Sequence, residues 1–233
     1  MKQMKQMKRV LQAAGICLLV AVAAVATTPP EGEAGAQPSA QEVAARVERH
    51  YNQVETLAAD FVQRYTLGRT TLVESGRVYF KQPGRLRWEY NSPEDKLFLT
   101  DGKYAYLYVP SEAQVRRTPL KQAPEWQAAL ALFLGRAKLR RLFARLQLVS
   151  VDRADSAVRW QLRGTARSEK QGFHHIWFDL NQRYQLLRLE IQQLDGSLVE
   201  FHFRRWEENP ALATDLFRLR VPPGTAWIDE GGS

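Results

Sequence analysis

The chain has little of what most catalytic and metal-binding proteins rely on. Its 233 residues include one cysteine, Cys17, and four histidines, His50, His174, His175 and His202. Cys17 lies inside the apolar run Val10–Ala26, behind Ile16, where a lipid-attachment cysteine would normally follow a small residue and end that run. We read it as part of a discarded leader, which leaves the mature chain without a thiol for a disulfide, a nucleophile or a zinc site. There is no Gly-rich phosphate loop and no His-Glu-x-x-His helix. His174 and His175 are neighbours in a strand-like stretch, so they point to opposite faces and cannot easily share one ion. No metal and no cofactor is expected. A missing nucleophile–base pair disfavours a secreted hydrolase, and an enzyme is not expected.

The first nine residues carry Lys2, Lys5, Lys8 and Arg9 without an acid, and the apolar run that follows is broken only by Gln12. That is a secretory signal peptide, too short and wrongly flanked for a membrane span. Cleavage fits after Ala24-Val25-Ala26 or after Ala34-Gly35-Ala36. Residues 1–36 are therefore expected to be signal peptide and short linker, and 37–233 a single domain. The formal charge is +8, and cleavage after Ala26 removes four cations, leaving 29 basic against 25 acidic residues. So small an excess, spaced along the solvent faces of strands, argues against nucleic acid as a partner.

Gln41–Leu57 places Val43, Val47, Tyr51, Val54 and Leu57 three or four apart, which predicts an amphipathic helix. From there the period is two. Phe61–Thr66, Val73–Lys81, Arg85–Tyr90, Lys96–Thr100, Lys103–Val109 and Gln114–Thr118 follow one another across Gly, Pro, Asn or Asp, as an antiparallel meander does. Ala123–Gly135, apolar nearly all round, predicts a helix that is covered or faces a hydrophobic cavity, and Lys138–Leu146 predicts another with a basic outer face. Strands resume at Leu148–Asp152, Val158–Arg163, Phe173–Leu180, Leu186–Gln192 and Leu198–Trp206. Roughly eleven strands with one oily face and too few helices to cover them flat must curl around their own interior. The fold class is mainly β with α, an unclosed antiparallel barrel with about three helical pieces on its open side.

Residues 85–90, Arg85-Leu86-Arg87-Trp88-Glu89-Tyr90, alternate strictly, with Leu86, Trp88 and Tyr90 on one face. In the aromatic strand, Tyr104, Tyr106 and Tyr108 share one face and Ala105, Leu107 and Val109 the other. Either the strand packs between the interior and the first helix, or one of its rows lines a ligand cavity. The six tryptophans could stack sugars, but their alternation reads as inward. Asp101-Gly102 is read as a turn.

The order Gly76, Lys81-Gln82-Pro83-Gly84-Arg85-Leu86-Arg87-Trp88, Pro93, Asp101-Gly102 and Gln114-Val115, with Phe61-Val62-Gln63 as a Phe-x-Gln before it, resembles the LolA family of periplasmic lipoprotein carriers. The resemblance implies a half-barrel with a helical lid, located in the periplasm and monomeric. It implies acylated lipoproteins as cargo, taken from an inner-membrane ABC transporter of the LolCDE type and passed to an outer-membrane acceptor such as LolB. The alternative is a carrier or sensor of free lipid or glycolipid on the same fold. Acyl chains suit an apolar interior because each buried methylene contributes about 0.8 kcal/mol without a directed polar partner. The candidate lining is Phe61, Val78, Phe80, Leu86, Trp88, Tyr90, Leu97, Leu99, Trp126, Leu130 and Phe133. Many family members carry an Arg before the motif's Pro, where it holds the lid to helical carbonyls. Here that position is Gln82, a neutral donor, so closure is expected to be weaker or to use another group.

Overall fold

Residues 37–120, 138–149 and 157–230 are described by a computed structural model. The expected helix Ala123–Gly135, with Trp126, Leu130 and Phe133, and the leader 1–36 lie outside the described residues. Ser39 opens the first helix, α1 (Ala40–Gln53), through a capping box in which the Glu42 N–H donates to the Ser39 hydroxyl and the Ser39 N–H donates to the Glu42 carboxylate. The helix buries Val43, Ala44, Val47 and Tyr51 along one stripe. It ends at Gln53, earlier than the periodicity predicts, because Leu57 is taken into the first strand.

Twelve strands follow among the described residues: β1 (Thr56–Leu67), β2 (Thr70–Lys81), β3 (Arg85–Ser92), β4 (Asp95–Thr100), β5 (Tyr104–Val109), β6 (Gln114–Pro119), β7 (Phe143–Val149), β8 (Trp160–Ala166), β9 (Phe173–Leu180), β10 (Leu186–Gln193), β11 (Leu198–Glu208) and β12 (Ala226–Asp229). They form one open sheet in the order β12-β6-β5-β4-β3-β2-β1-β11-β10-β9-β8-β7. Every pairing is antiparallel except that of β12 with β6. The four-residue β12 was not legible in the sequence, since Ala226-Trp227-Ile228-Asp229 is too short to show a period.

The sheet is strongly curled. β3 and β11 are three strand steps apart, about 14 Å along a flat sheet, yet the Trp88 ring lies 5.2 Å from that of Phe201 and 6.1 Å from that of Phe203. Two small residues permit close approaches. A Cβ on Gly76 would fall 1.8 Å from the Glu89 carbonyl oxygen, where β2 and β3 change register. One on Gly164 would fall 2.5 Å from the Phe143 ring.

Phe143 also corrects the second helix. Only one turn, α2 (Leu139–Leu142), is helical, and strand β7 begins at Phe143. Arg167 donates to the carbonyls of Arg140 and Arg141, and Gln171 to that of Leu142, so the end of the turn is capped from outside. Beyond it the Phe143 ring drops over Gly164 against Phe173 and Phe178. Tertiary packing on β8 and β9 thus overrides a helical period. α1 packs on α2, β7 and β8. Its Glu48 accepts from the Leu139 N–H at 2.6 Å, and its Tyr51 hydroxyl accepts from the Leu186 N–H at 2.9 Å. No described helix is long and apolar enough to cross a membrane.

Candidate functional site

Residues directly opposite one another in an antiparallel ladder share a face, so the registers sort the inner side of β1–β5 into rows. The first joins Leu57, Phe80, Leu86, Thr100 and Ala105. The second joins Ala59, Val78, Trp88, Phe98 and Leu107. The third holds Phe61, Gly76, Tyr90 and Lys96. Phe61 packs edge-on against Trp88 and Tyr90, with ring centroids 5.0 and 5.1 Å away. Across β1, Phe201 and Phe203 continue the surface into Leu189, Phe178 and Leu162. All of these apolar side chains except the half-buried Leu107 lie in one cluster, and Leu86 is 0% exposed.

Of the sequence-based candidates, Phe61, Val78, Phe80, Leu86, Trp88 and Tyr90 meet in that cluster. Leu97 and Leu99 do not share its face. They pair with Glu89 and Arg87 and so lie on the opposite side of the sheet, and the inner position of β4 belongs to Phe98. Lys96-Leu97-Phe98-Leu99-Thr100 is apolar at three consecutive positions, so no alternation marks its inner face; only the pairing with Trp88 does. Trp126, Leu130 and Phe133 are outside the described residues. The tyrosines of β5 face outward rather than toward α1. Tyr106 donates to Asp101 at 2.9 Å and meets Trp227 edge-on, and Tyr104 lies under the Arg117 guanidinium. Trp177 shares its row with Glu190 and Arg163, and Trp227 is half exposed at the sheet edge, so these two tryptophans do not point inward.

Gln82 stands at the turn between β2 and β3. Its side-chain amide donates to the carbonyls of Tyr51 and Val54, and its backbone N–H donates to that of Glu55. At the other end of the inner face a polar group interrupts the apolar rows. Glu74, 6% exposed, pairs with Lys96, while Gln63 donates to Glu74 at 3.4 Å and accepts from the Tyr90 hydroxyl at 2.8 Å. Burial, and after it the Glu74 carboxylate, pushes the Tyr90 hydroxyl far above its ordinary range, so it stays a proton donor.

The histidines hold structural places. His50 lies 3.1 Å from Glu208, and His175 shares a hydrogen bond with Thr165 while His174 is exposed. Burial, then Arg163, lowers the affinity of His175 for a proton. On the outer face a cleft of about 500 Å³ is lined by Asp60, Ser75, Arg77, Asn91, His202 and Arg204, among others. Asp60 is bound there by Arg77 and Arg205. Its charged lining is unsuited to acyl chains.

A sequence model of the family described as outer membrane lipoprotein carrier protein LolA matches residues 52–220. A protein of Xanthomonas axonopodis pv. citri named outer-membrane lipoprotein carrier protein is 31% identical over 178 residues, 75% of this chain and 82% of that protein. One of the same name from Methylobacillus flagellatus is 26% identical over 182 residues, 77% of this chain and 85% of its own. Among solved structures, an uncharacterized conserved protein from Thermus thermophilus superposes with a TM-score of 0.54 at 17% identity, covering 82% of this chain and 99% of that one. The match of the family model across most of the chain, and over every motif on the inner face, places this protein in the LolA family of outer membrane lipoprotein carriers.

Proposed function

We propose that this protein is a periplasmic carrier that shields the acyl chains of lipoproteins between the inner and the outer membrane. The observation that supports it best is the continuous inner face of β1–β4 and β8–β11, whose large side chains, Phe61, Phe80, Leu86, Trp88, Phe98 and Phe201 among them, form one apolar cluster in a family of lipoprotein carriers. One chain of about fifteen methylenes contributes on the order of 10 kcal/mol when buried, before ordering costs. In this reading Leu86, Trp88 and their neighbours part to admit the chains. A transporter of the LolCDE type delivers the cargo, an acceptor such as LolB receives it, and residues 1–36 act as leader and linker. Gln82 holds the end of α1, and release of that contact accompanies opening. Secreting the full chain, purifying it from the periplasm and analysing bound material by mass spectrometry tests the reading. Acylated lipoproteins are expected, whereas free lipid or glycolipid alone would favour a different cargo.

A further inference from the structure

The polar group on the inner face is out of place for a protein that only needs an oily interior. Gln63 and Glu74 occupy one row of the β1–β2 ladder, directly beyond Phe61 and Gly76, and Lys96 stands opposite Tyr90. On the other side of β1, at the same level, the partner of Gln63 is Phe201. The group is therefore an island with apolar side chains on two sides. A buried ion pair generally gives no more stability than apolar residues of the same volume, because desolvation offsets the attraction. Stability alone does not account for Glu74 and Lys96 here.

Among the described residues, the island has donors without a partner. Lys96 carries three N–H groups. One goes to Glu74, and the ammonium stands 5.0 Å from the Tyr90 ring centroid. The Lys96 side chain is 23% exposed, so it can be reached from solvent. Glu74 and Gln63, by contrast, are engaged with each other and with Lys96 and Tyr90. What the island offers an incoming molecule is thus the remaining N–H donors of an ammonium whose charge Glu74 balances, next to apolar rows. This matches a group that accepts hydrogen bonds, donates none and is attached to long apolar chains, which is the chemistry of an ester carbonyl.

We propose that Lys96, held by Glu74, Gln63 and Tyr90, binds the ester carbonyls at the junction between the acyl chains and the rest of the cargo. The chains then extend over the rows of Trp88 and Leu86. The inference rests on the carrier reading and adds to it a fixed position for the cargo's polar junction.

Two synthetic probes test it: a dansylated cysteinyl peptide carrying a 2,3-bis(palmitoyloxy)propyl thioether, and the same peptide with the two chains attached as hexadecyl ethers, which lack the carbonyls. The protein should bind the ester probe roughly tenfold more tightly. Lys96→Met should bind both probes equally. The double variant Glu74→Gln/Lys96→Met leaves no unpaired buried charge and serves if the single variant does not fold. Equal affinities in the unaltered protein, or a preference that survives in a folded Lys96 variant, overturn the proposal while leaving the carrier reading intact. If neither probe binds, the carrier reading fails and the proposal with it.

Discussion

The side-chain amide of Gln82 donates to the carbonyl oxygen of Val54 at 2.9 Å, and to that of Tyr51 at 3.3 Å. A turn between two strands thereby supplies donors to carbonyls at the end of α1, where the Tyr51 oxygen also accepts from the N–H of the cap residue Val54 at 3.4 Å. Gln82→Ala should lower the free energy of unfolding by about 1 kcal/mol and speed amide exchange in the last turn of α1. Gln82→Arg keeps the donors and should preserve both. Unchanged exchange in Gln82→Ala would show that this contact does not hold the helix.

Leu86 and Arg87 are adjacent and face opposite ways. Leu86 is fully buried, while Arg87 donates to Glu89 and to the Leu216 carbonyl on the outer side. Leu86→Glu buries a charge without a partner, at a cost of several kcal/mol, and should abolish cargo uptake. Arg87→Glu loses part-buried contacts and sets a second carboxylate beside Glu89, at a cost of about 1–3 kcal/mol, but it leaves the inner face unaltered and should largely retain uptake. Assays on both variants, with circular dichroism as the folding control, check this; equal defects would contradict the assignment of faces.

The Gly164–Phe143 contact should behave as a matched pair. Gly164→Ala pushes a methyl into the ring and should destabilise by about 1–3 kcal/mol. Adding Phe143→Leu frees the space and should recover part of that loss. Denaturant unfolding of Gly164→Ala, Phe143→Leu and the double variant checks it, and additive effects would mean that the positions act independently.

Asp101 gives the protein an acid-sensitive component. Partial burial raises its carboxyl, but the N–H groups of Tyr104 and Lys103 and the Tyr106 hydroxyl outweigh this and hold it below the usual value of 3.8. The folded state therefore binds that proton less readily than the unfolded chain does. The resulting stability is fully present above the unfolded value and is lost as pH falls through the folded one. Unfolding measured from about pH 6 to about pH 2 should show Asp101→Asn less stable at the upper end, with the gap closing toward the lower. A gap that stays constant would contradict the sign.

Much of the sheet was readable because strict alternation survives in β3, β8 and β11, where one face is wet. Reading failed where that contrast vanishes. β4 has three apolar residues in succession, and only its register with Trp88 selects Phe98 over Leu97 and Leu99. The helical spacing of Leu139, Leu142, Phe143 and Leu146 was real, yet the space above Gly164 draws Phe143 into a strand. The Gln63–Glu74–Lys96–Tyr90 group was invisible for another reason. Its members come from four strands, and nothing local announces that they meet.

The central claim is that this protein keeps an acylated lipoprotein soluble by enclosing its chains. It is tested most directly by incubating the purified protein with inner-membrane vesicles carrying a labelled triacylated lipoprotein and its transporter, then separating soluble complexes by size exclusion. The account predicts a soluble one-to-one complex with the acylated lipoprotein, none with the same lipoprotein lacking its acyl chains, and none with Leu86→Glu. Equal recovery of the acylated and unacylated forms, or no soluble complex at all, would contradict it.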